Sequence, residues 1–158
     1  MTKKDHIKDY ATAAFRFYKS VGGLESYKNK IWQEALLDRR RDHTGSAGVS
    51  KPTEADIIRA EKAIDSKFSE IADLEAVEET LEILGRMEIG RFIIEAVEIV
   101  YWTDLHIPIN QQGLIQERVH KASLHIPASE RTVYRYLFKA RTIFAFERGL
   151  RLDCEQFL

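Results

Sequence analysis

Apolar side chains recur at three- and four-residue steps along most of this chain, a spacing that predicts amphipathic helices. The first predicted helix runs from Lys4 to Tyr18, and the second from about Leu24 to Arg41. Four more are predicted at Thr53 to Leu84, Glu88 to Thr103, Leu114 to Leu124 and Ser129 to Glu147. Because no stretch of any length alternates like a strand, the sequence predicts an all-α, multi-helix protein.

The predicted central helix, residues 53–84, is unusually long and contains neither proline nor glycine. Its apolar stripe consists of Ile57, Ala60, Ile64, Phe68, Ile71, Leu74, Val77, Leu81 and Leu84. Such length predicts either a kink or a seam through which two copies form a homodimer. Its acidic residues, Glu75, Glu78, Glu79 and Glu82, are expected to form a solvated face.

Loop composition divides the chain into three regions. Small and polar residues without periodicity accumulate at DRRRDHTGSAGVSKP, residues 38–52, which predicts a linker. Residues 104–113 contain Pro108 and predict a second loop. We therefore expect an N-terminal helical region with its linker (1–51), central helices (52–104) and a C-terminal unit (105–151).

Composition indicates a globular protein, with 44% hydrophobic and 31% charged residues among 158. Neither a signal peptide nor a membrane span is expected, because no apolar stretch is long enough. The single cysteine, Cys154, has no partner for an intramolecular disulfide, so the simplest expected location is the cytoplasm.

Charge is unevenly distributed behind a net value of −1. Residues 1–52 carry 11 Lys/Arg against 6 Asp/Glu, residues 53–104 carry 5 against 14, and residues 105–158 carry 8 against 5. The triplet Arg39 to Arg41 suits either the negative end of a helix dipole or a phosphate contact. Two basic ends therefore flank an acidic middle.

No residue pattern indicates an enzyme, a cofactor site or a metal site. The five histidines fit no zinc-binding spacing, and Cys154 lacks the local pattern of a nucleophile. These histidines are His6, His43, His106, His120 and His125.

Residues 113–149 predict a short helix, a turn and a longer helix, the order found in helix-turn-helix DNA-binding units. Ser129 lies where an N-cap is expected. One side of the last helix is apolar, with Val133, Leu137, Ala140 and Phe144. A different side carries Arg131, Arg135, Lys139 and Thr142. The basic side is expected to face outward.

Double-stranded DNA is the expected partner of this basic side. Arg131, Thr132 and Arg135 lie near the start of the helix, where side chains reach base edges, because arginine can bond guanine with two hydrogen bonds. Lys139 and Arg141 lie further along and suit phosphates, as do Arg118 and Lys121 on the preceding helix. Ser129 and Tyr134 complete the expected DNA-binding set. The alternative for each charged residue is a surface charge without a specific partner.

The stretch SERTVYRYLFKAR, residues 129–141, resembles the end of the sigma-factor region-four helix-turn-helix in phage late-gene transcriptional regulators of the ArpU and RinA type. The order of elements is similar too, with a helix start at Pro52-Thr-Glu before the C-terminal unit. This resemblance implies a small phage-encoded or mobile-element-encoded activator that binds a promoter region and works with RNA polymerase. One departure is the connection SLHIPASERT, which contains Pro127 and is longer than the tight turn of the sigma-like unit.

Two other functions remain open at this stage. A small terminase-like subunit for DNA packaging would also combine a helix-turn-helix with oligomerising helices. A protein-interaction module would use the acidic middle to bind a basic partner, and its basic C-terminal unit would be only a solvated surface.

Overall fold

The computed structural model describes residues 5–42 and 51–151, and over those residues it contains seven α-helices and no strand. This confirms the all-α prediction. The helices are α1 (His6–Val21), α2 (Leu24–Asp42), α3 (Glu54–Ser66), α4 (Phe68–Arg86), α5 (Gly90–Tyr101), α6 (Leu114–His125) and α7 (Glu130–Arg148). Most of the predicted linker, the side chains of Arg39 to Arg41, His43 and Cys154 lie outside what is described.

Side-chain caps explain why several helices begin where they do. Asp5 accepts a hydrogen bond from the Lys8 N–H at the start of α1, at 3.0 Å. At the start of α3, Thr53 and Asp56 form a capping box, in which each side chain bonds the other residue's backbone N–H. These caps satisfy backbone donors that have no partner inside the helix.

The single helix predicted over residues 53–84 is wrong, because two helices occupy this stretch. The break lies at Lys67, whose ψ of 27° departs from helical geometry. Just before it, the Ser66 hydroxyl donates to the Ala63 carbonyl at 2.6 Å, and the Lys67 N–H donates to the Ile64 carbonyl at 3.0 Å. Serine competes in this way with the regular hydrogen bonds of a helix. Of the two outcomes that its length predicts, the kink is therefore observed.

The break also divides the predicted apolar stripe. Beyond it, the stripe residues Ile71, Leu74, Val77 and Leu84 are buried. Before it, α3 packs chiefly on α2, and Ile57 is 40% exposed. Phe68, at the first position of α4, is 74% exposed. Ile57 and Phe68 of the stripe thus remain partly exposed, because α3 packs on α2 instead of continuing into the main core.

Helix α5 lies in the middle of the main core, as its apolar circumference predicts. It contacts α1, α4, α6 and α7. Its buried residues are Gly90, Ile93, Ala96, Val97, Val100 and Tyr101. Helix α1 shares this core, since the ring of Phe15 lies 6.0 Å from that of Tyr101 and 5.7 Å from that of Phe144. The first and last described helices are thus joined by aromatic contacts.

The turn from α4 to α5 allows a close approach of two backbone segments. Gly90, the first residue of α5, lies against the Leu84 carbonyl of α4. A β-carbon at position 90 would lie only 1.5 Å from that carbonyl oxygen. The two helices can therefore pack as they do only because residue 90 has no side chain.

A polar cluster ties the ends of three helices together. The Asp73 carboxylate on α4 accepts hydrogen bonds from the Tyr10 hydroxyl on α1, at 2.5 Å, and from Arg148 Nε on α7, at 2.7 Å. Partial burial and the neighbouring Asp73 raise the pKa of Tyr10 above its usual value. The C-terminal end of α7 is thereby held to the rest of the molecule.

Among the residues described, no helix has both the length and the apolar character needed to cross a lipid bilayer.

Candidate nucleic-acid interface

The connection between α6 and α7 is shorter than the sequence suggests. Helix α6 continues through Ser123 to His125, and α7 starts at Glu130, so only the four residues 126–129 connect them. The expected long connection is therefore wrong, because much of SLHIPASERT is helical. A connection of roughly three or four residues is typical of helix-turn-helix units.

Local bonds and burial shape this turn. Ile126 is buried, and its N–H still donates to the Ala122 carbonyl of α6 at 2.9 Å. Ser129 then caps α7 as predicted, since its Oγ accepts from the Thr132 N–H at 3.2 Å. The Thr132 hydroxyl lies 3.0 Å from the same Oγ, so both hydroxyls of this pair take part in the cap. Their hydrogen bonds help to fix the direction in which α7 leaves the turn.

The side of α7 that faces the core, here called its inner side, is the apolar side that the sequence predicts. Its buried residues are Val133, Leu137, Ala140, Phe144 and Ala145. They pack against α4, α5, α6 and α1, which surround this side of the helix. The first four confirm the apolar face that the 4, 3, 4 spacing predicts.

The outer side of α7 presents three exposed cations. Arg131, Arg135 and Lys139 follow at four-residue steps, so they lie close to one another along the helix. Tyr134 is also exposed. No charged neighbour among the described residues is recorded within ion-pair distance of these three cations. The predicted outward orientation of the basic side is therefore confirmed.

Arg118 does not belong to this exposed surface. Arg118 is only 6% exposed, and its Nη1 donates to the Val100 carbonyl of α5 at 2.9 Å. A carbonyl in the last turn of a helix has no partner within that helix, so the guanidinium satisfies it. The assignment of Arg118 to a phosphate is corrected by this burial, and the residue instead holds α6 to α5. Lys121, three residues further on, is exposed as expected.

Arg16 on α1 performs a similar structural task that the sequence does not reveal. Its Nη2 donates to the carbonyls of Leu105 and Ile107, both at 2.8 Å, in the loop before α6. Burial, and then the nearby positive charge of Arg118, lower the pKa of Arg16 from its usual value. This arginine fixes the loop that leads into the α6–α7 pair.

Two further arginines, both on α7, bond other helices of the protein instead of facing solvent. Arg141 is half-buried and its Nη1 donates to the Tyr101 hydroxyl at 2.6 Å. Arg148 bonds Asp73 at the other end of the inner side. Of the eight Lys/Arg residues in 105–151, these two and Arg118 make contacts within the protein. The exposed five are Lys121, Arg131, Arg135, Lys139 and Arg151.

A histidine–carboxylate pair braces the turn, and sequence reasoning missed it. His120 Nδ1 on α6 lies 2.6 Å from Glu130 Oε1, in the first turn of α7. Because a carboxylate only accepts, the imidazole Nδ1–H is the donor. Glu130 thus both complements the helix dipole and links the two helices. Their separation by ten residues gave no sequence signal for this contact.

Exposed apolar side chains are the second feature that sequence reasoning missed. On α7, Phe138 is 43% and Phe146 is 73% exposed, and Leu124 at the end of α6 is 73% exposed. The helical spacing contained this signal, since Phe138 falls seven residues after Arg131 and therefore on the same side of the helix. Aromatic rings are thus interspersed with the cations.

The acidic residues of α4 lie along a different side of the molecule. Four glutamates of α4 line a groove beside the end of α7, where Glu147 adds a fifth carboxylate; the four are Glu75, Glu78, Glu79 and Glu82. All of these carboxylates are exposed except that of Glu78, which is half-buried and accepts from the Tyr18 hydroxyl at 3.4 Å. Since DNA is an anion, the groove disfavours its approach from this side.

Within residues 5–42 and 51–151, no three histidine, cysteine or acidic side chains are grouped so as to hold a metal ion.

Comparison with protein-family models, with curated proteins and with solved structures finds no match to this chain.

Proposed function

We propose that this protein is a sequence-specific DNA-binding regulator of transcription, in which α7 enters the major groove. The observation that carries this proposal is the division of α7 into a buried apolar side and an exposed side with Arg131, Arg135 and Lys139. A helix of about 10–12 Å diameter fits a major groove about 12 Å wide. The four-residue connection to α6 is compatible with a helix-turn-helix.

Each exposed cation has a distinct role in this proposal. Arg131 and Arg135 lie in the first two turns of α7 and bond guanine edges. Lys139 lies one turn further and contacts a phosphate, as Lys121 does from α6. Arg141 acts indirectly, because its bond to Tyr101 holds α7 against α5.

The regulatory context rests on the resemblance of residues 129–141 to phage late-gene regulators. On that basis the protein is encoded by a phage or mobile element, acts in the cytoplasm at a promoter, and works with RNA polymerase. It uses no cofactor and catalyses no reaction.

Selection of binding sites from random duplex DNA tests the proposal. The wild-type chain should enrich one sequence, and its affinity for that sequence should fall as salt increases, because phosphate contacts release counterions. Arg131→Ala and Arg135→Ala should each cost about 1–3 kcal/mol and relax selection at one base position. Lys139→Ala should instead weaken all sequences alike and reduce the salt slope by about one.

Lys62→Ala is the matched control, since Lys62 is an exposed cation on α3, outside the α6–α7 pair. It should leave both affinity and selection unchanged. No enriched sequence, or equal effects of Arg131→Ala and Lys62→Ala, would contradict the proposal. Affinity for DNA that is insensitive to salt would favour a protein-interaction module instead.

A packaging subunit is the second candidate, and the α2–α3 pair favours it. Helix α3 packs chiefly on α2, and Leu37, Ile57 and Ile58 of this pair are exposed, so the pair offers apolar surface for assembly. Mass measurement by light scattering separates the two functions. A ring of many copies indicates packaging, whereas a monomer or dimer indicates regulation.

A further inference from the structure

We infer that Phe138 is a specificity-determining residue that contacts the methyl group of a thymine in the major groove. The inference rests on the proposed function and adds the class of DNA site: guanines and a thymine within a few adjacent base pairs. Three properties of Phe138 carry it, namely its position, its exposure and its chemistry.

The position of Phe138 continues the line of the arginines. It lies three residues after Arg135 and seven after Arg131, so all three side chains follow one side of α7. Seven residues span about 10 Å along a helix, at about 1.5 Å per residue. Base pairs are stacked at about 3.4 Å, so this line covers about three of them.

Exposure distinguishes Phe138 from the core residues around it. Its neighbours Leu137 and Ala140 are buried and already pack the inner side of α7. Phe138 is 43% exposed, and it lies on the side of α7 that carries the arginines. The nearby Thr142 hydroxyl donates to the Phe138 carbonyl at 2.8 Å, so it already has a partner within the helix.

Chemistry then selects the group that the ring contacts. Among the four bases, only thymine presents a methyl group in the major groove. A phenylalanine ring has no donor or acceptor, so its favourable contact is with that methyl group. Arginines for guanine and an aromatic ring for thymine thus form one recognition surface.

Replacement of thymine by uracil in the DNA tests this directly, because it removes the methyl group and keeps every hydrogen-bonding group. In the duplex selected by the wild-type chain, each thymine is replaced in turn by uracil, and the Kd of the wild-type protein for each duplex is measured. One position should show a loss of roughly three- to fivefold, the value expected for one methyl group removed from an apolar contact.

Phe138→Ala should then bind the thymine and uracil duplexes equally at that position. Phe146→Ala is the matched control, since Phe146 is an exposed phenylalanine eight residues further along α7. The Phe146→Ala variant should bind the thymine duplex more tightly than the uracil duplex by the same factor as the wild type. Circular dichroism should show the helical content of the wild type in both variants.

Two results would overturn the inference. One is a selected site at which no thymine is sensitive to uracil. The other is a Phe138→Ala variant that still discriminates as well as the wild type. Either result leaves the proposed function intact if selection still returns a preferred sequence, whereas failure of selection itself refutes the proposed function.

Discussion

The two sides of α7 contain the same kinds of residue and use them differently. Arginine and phenylalanine occur on both. On the inner side, Arg148 bonds a carboxylate of α4 and Phe144 is buried among other aromatic rings. On the outer side, Arg135 and Phe146 are exposed. The neighbours that the fold supplies therefore decide the task of each residue, and four predictions, on α7 and on helices that contact it, test this contrast.

The largest effect is expected for Phe144→Ala. This ring is fully buried against Tyr10 and Phe15 of α1, so truncation leaves a cavity and should lower the free energy of unfolding by about 3–5 kcal/mol. Phe146→Ala, two residues away, should change it by less than about 0.5 kcal/mol. Urea denaturation measures both. Equal losses would mean that the two sides of α7 are not distinct in packing.

The next largest effect on stability is expected at Arg118, which is compared with Lys121 on the same helix, α6. Arg118→Met keeps an apolar stem but leaves the Val100 carbonyl without its charged donor, at a cost of about 1.5–3 kcal/mol in stability. Lys121→Ala should leave stability nearly unchanged and weaken DNA binding. The same urea titration, together with a binding isotherm at fixed salt, separates the two. A stable Arg118→Met variant with a selective loss of DNA affinity would restore Arg118 to the DNA-binding set.

A smaller effect is expected at the start of α7. Ser129→Ala removes the acceptor for the Thr132 N–H and should cost about 1 kcal/mol. Since Arg131 lies in this first turn, fraying should also weaken DNA binding. Ser129→Asn is the control, because asparagine is also a good N-cap, and it should retain most of the stability and most of the DNA affinity. Thermal unfolding and a binding isotherm show whether the asparagine variant differs from the alanine one, and no difference would contradict the capping role.

The smallest expected effect is on how stability depends on pH. It involves Tyr10, which bonds the same Asp73 carboxylate as Arg148 at the end of α7. Because the folded protein raises the pKa of Tyr10 above its value in the unfolded chain, the associated stability is present below pH about 10 and is lost as the pH rises through the folded pKa. Tyr10→Phe should flatten this alkaline fall. Chemical denaturation between neutral and alkaline pH measures it. An identical fall in wild type and variant would assign the effect to other groups, such as Tyr18 and Tyr27, whose pKa values are also raised by burial.

Periodicity predicted most of the fold correctly, because an amphipathic helix needs only local information. The inner side of α7 and the Ser129 cap are of this kind. The length of the predicted central helix allowed for a kink, but its position at Lys67 was not predicted, since the hydrophobic stripe continues across it. The packing of α3 on α2, together with the Ser66 hydrogen bond, accounts for the break there.

The candidate interface could be predicted only in part for a related reason. The basic side of α7 follows from spacing within one helix. The burial of Arg118 depends on a carbonyl eighteen residues away, and the His120–Glu130 pair joins two helices across a turn. Such contacts arise from tertiary packing, which a single sequence does not encode as a periodic signal.

The contact between Gly90 and the Leu84 carbonyl provides a criterion for recognising distant relatives. Any chain that inherits this α4–α5 packing must keep glycine at this position, whatever else has diverged, because every other residue would collide with backbone that cannot move aside. A glycine six residues after a buried leucine, followed by an apolar helix and then a capped basic one, is a pattern to seek. It would identify the fold even where the exposed residues of α7 have changed.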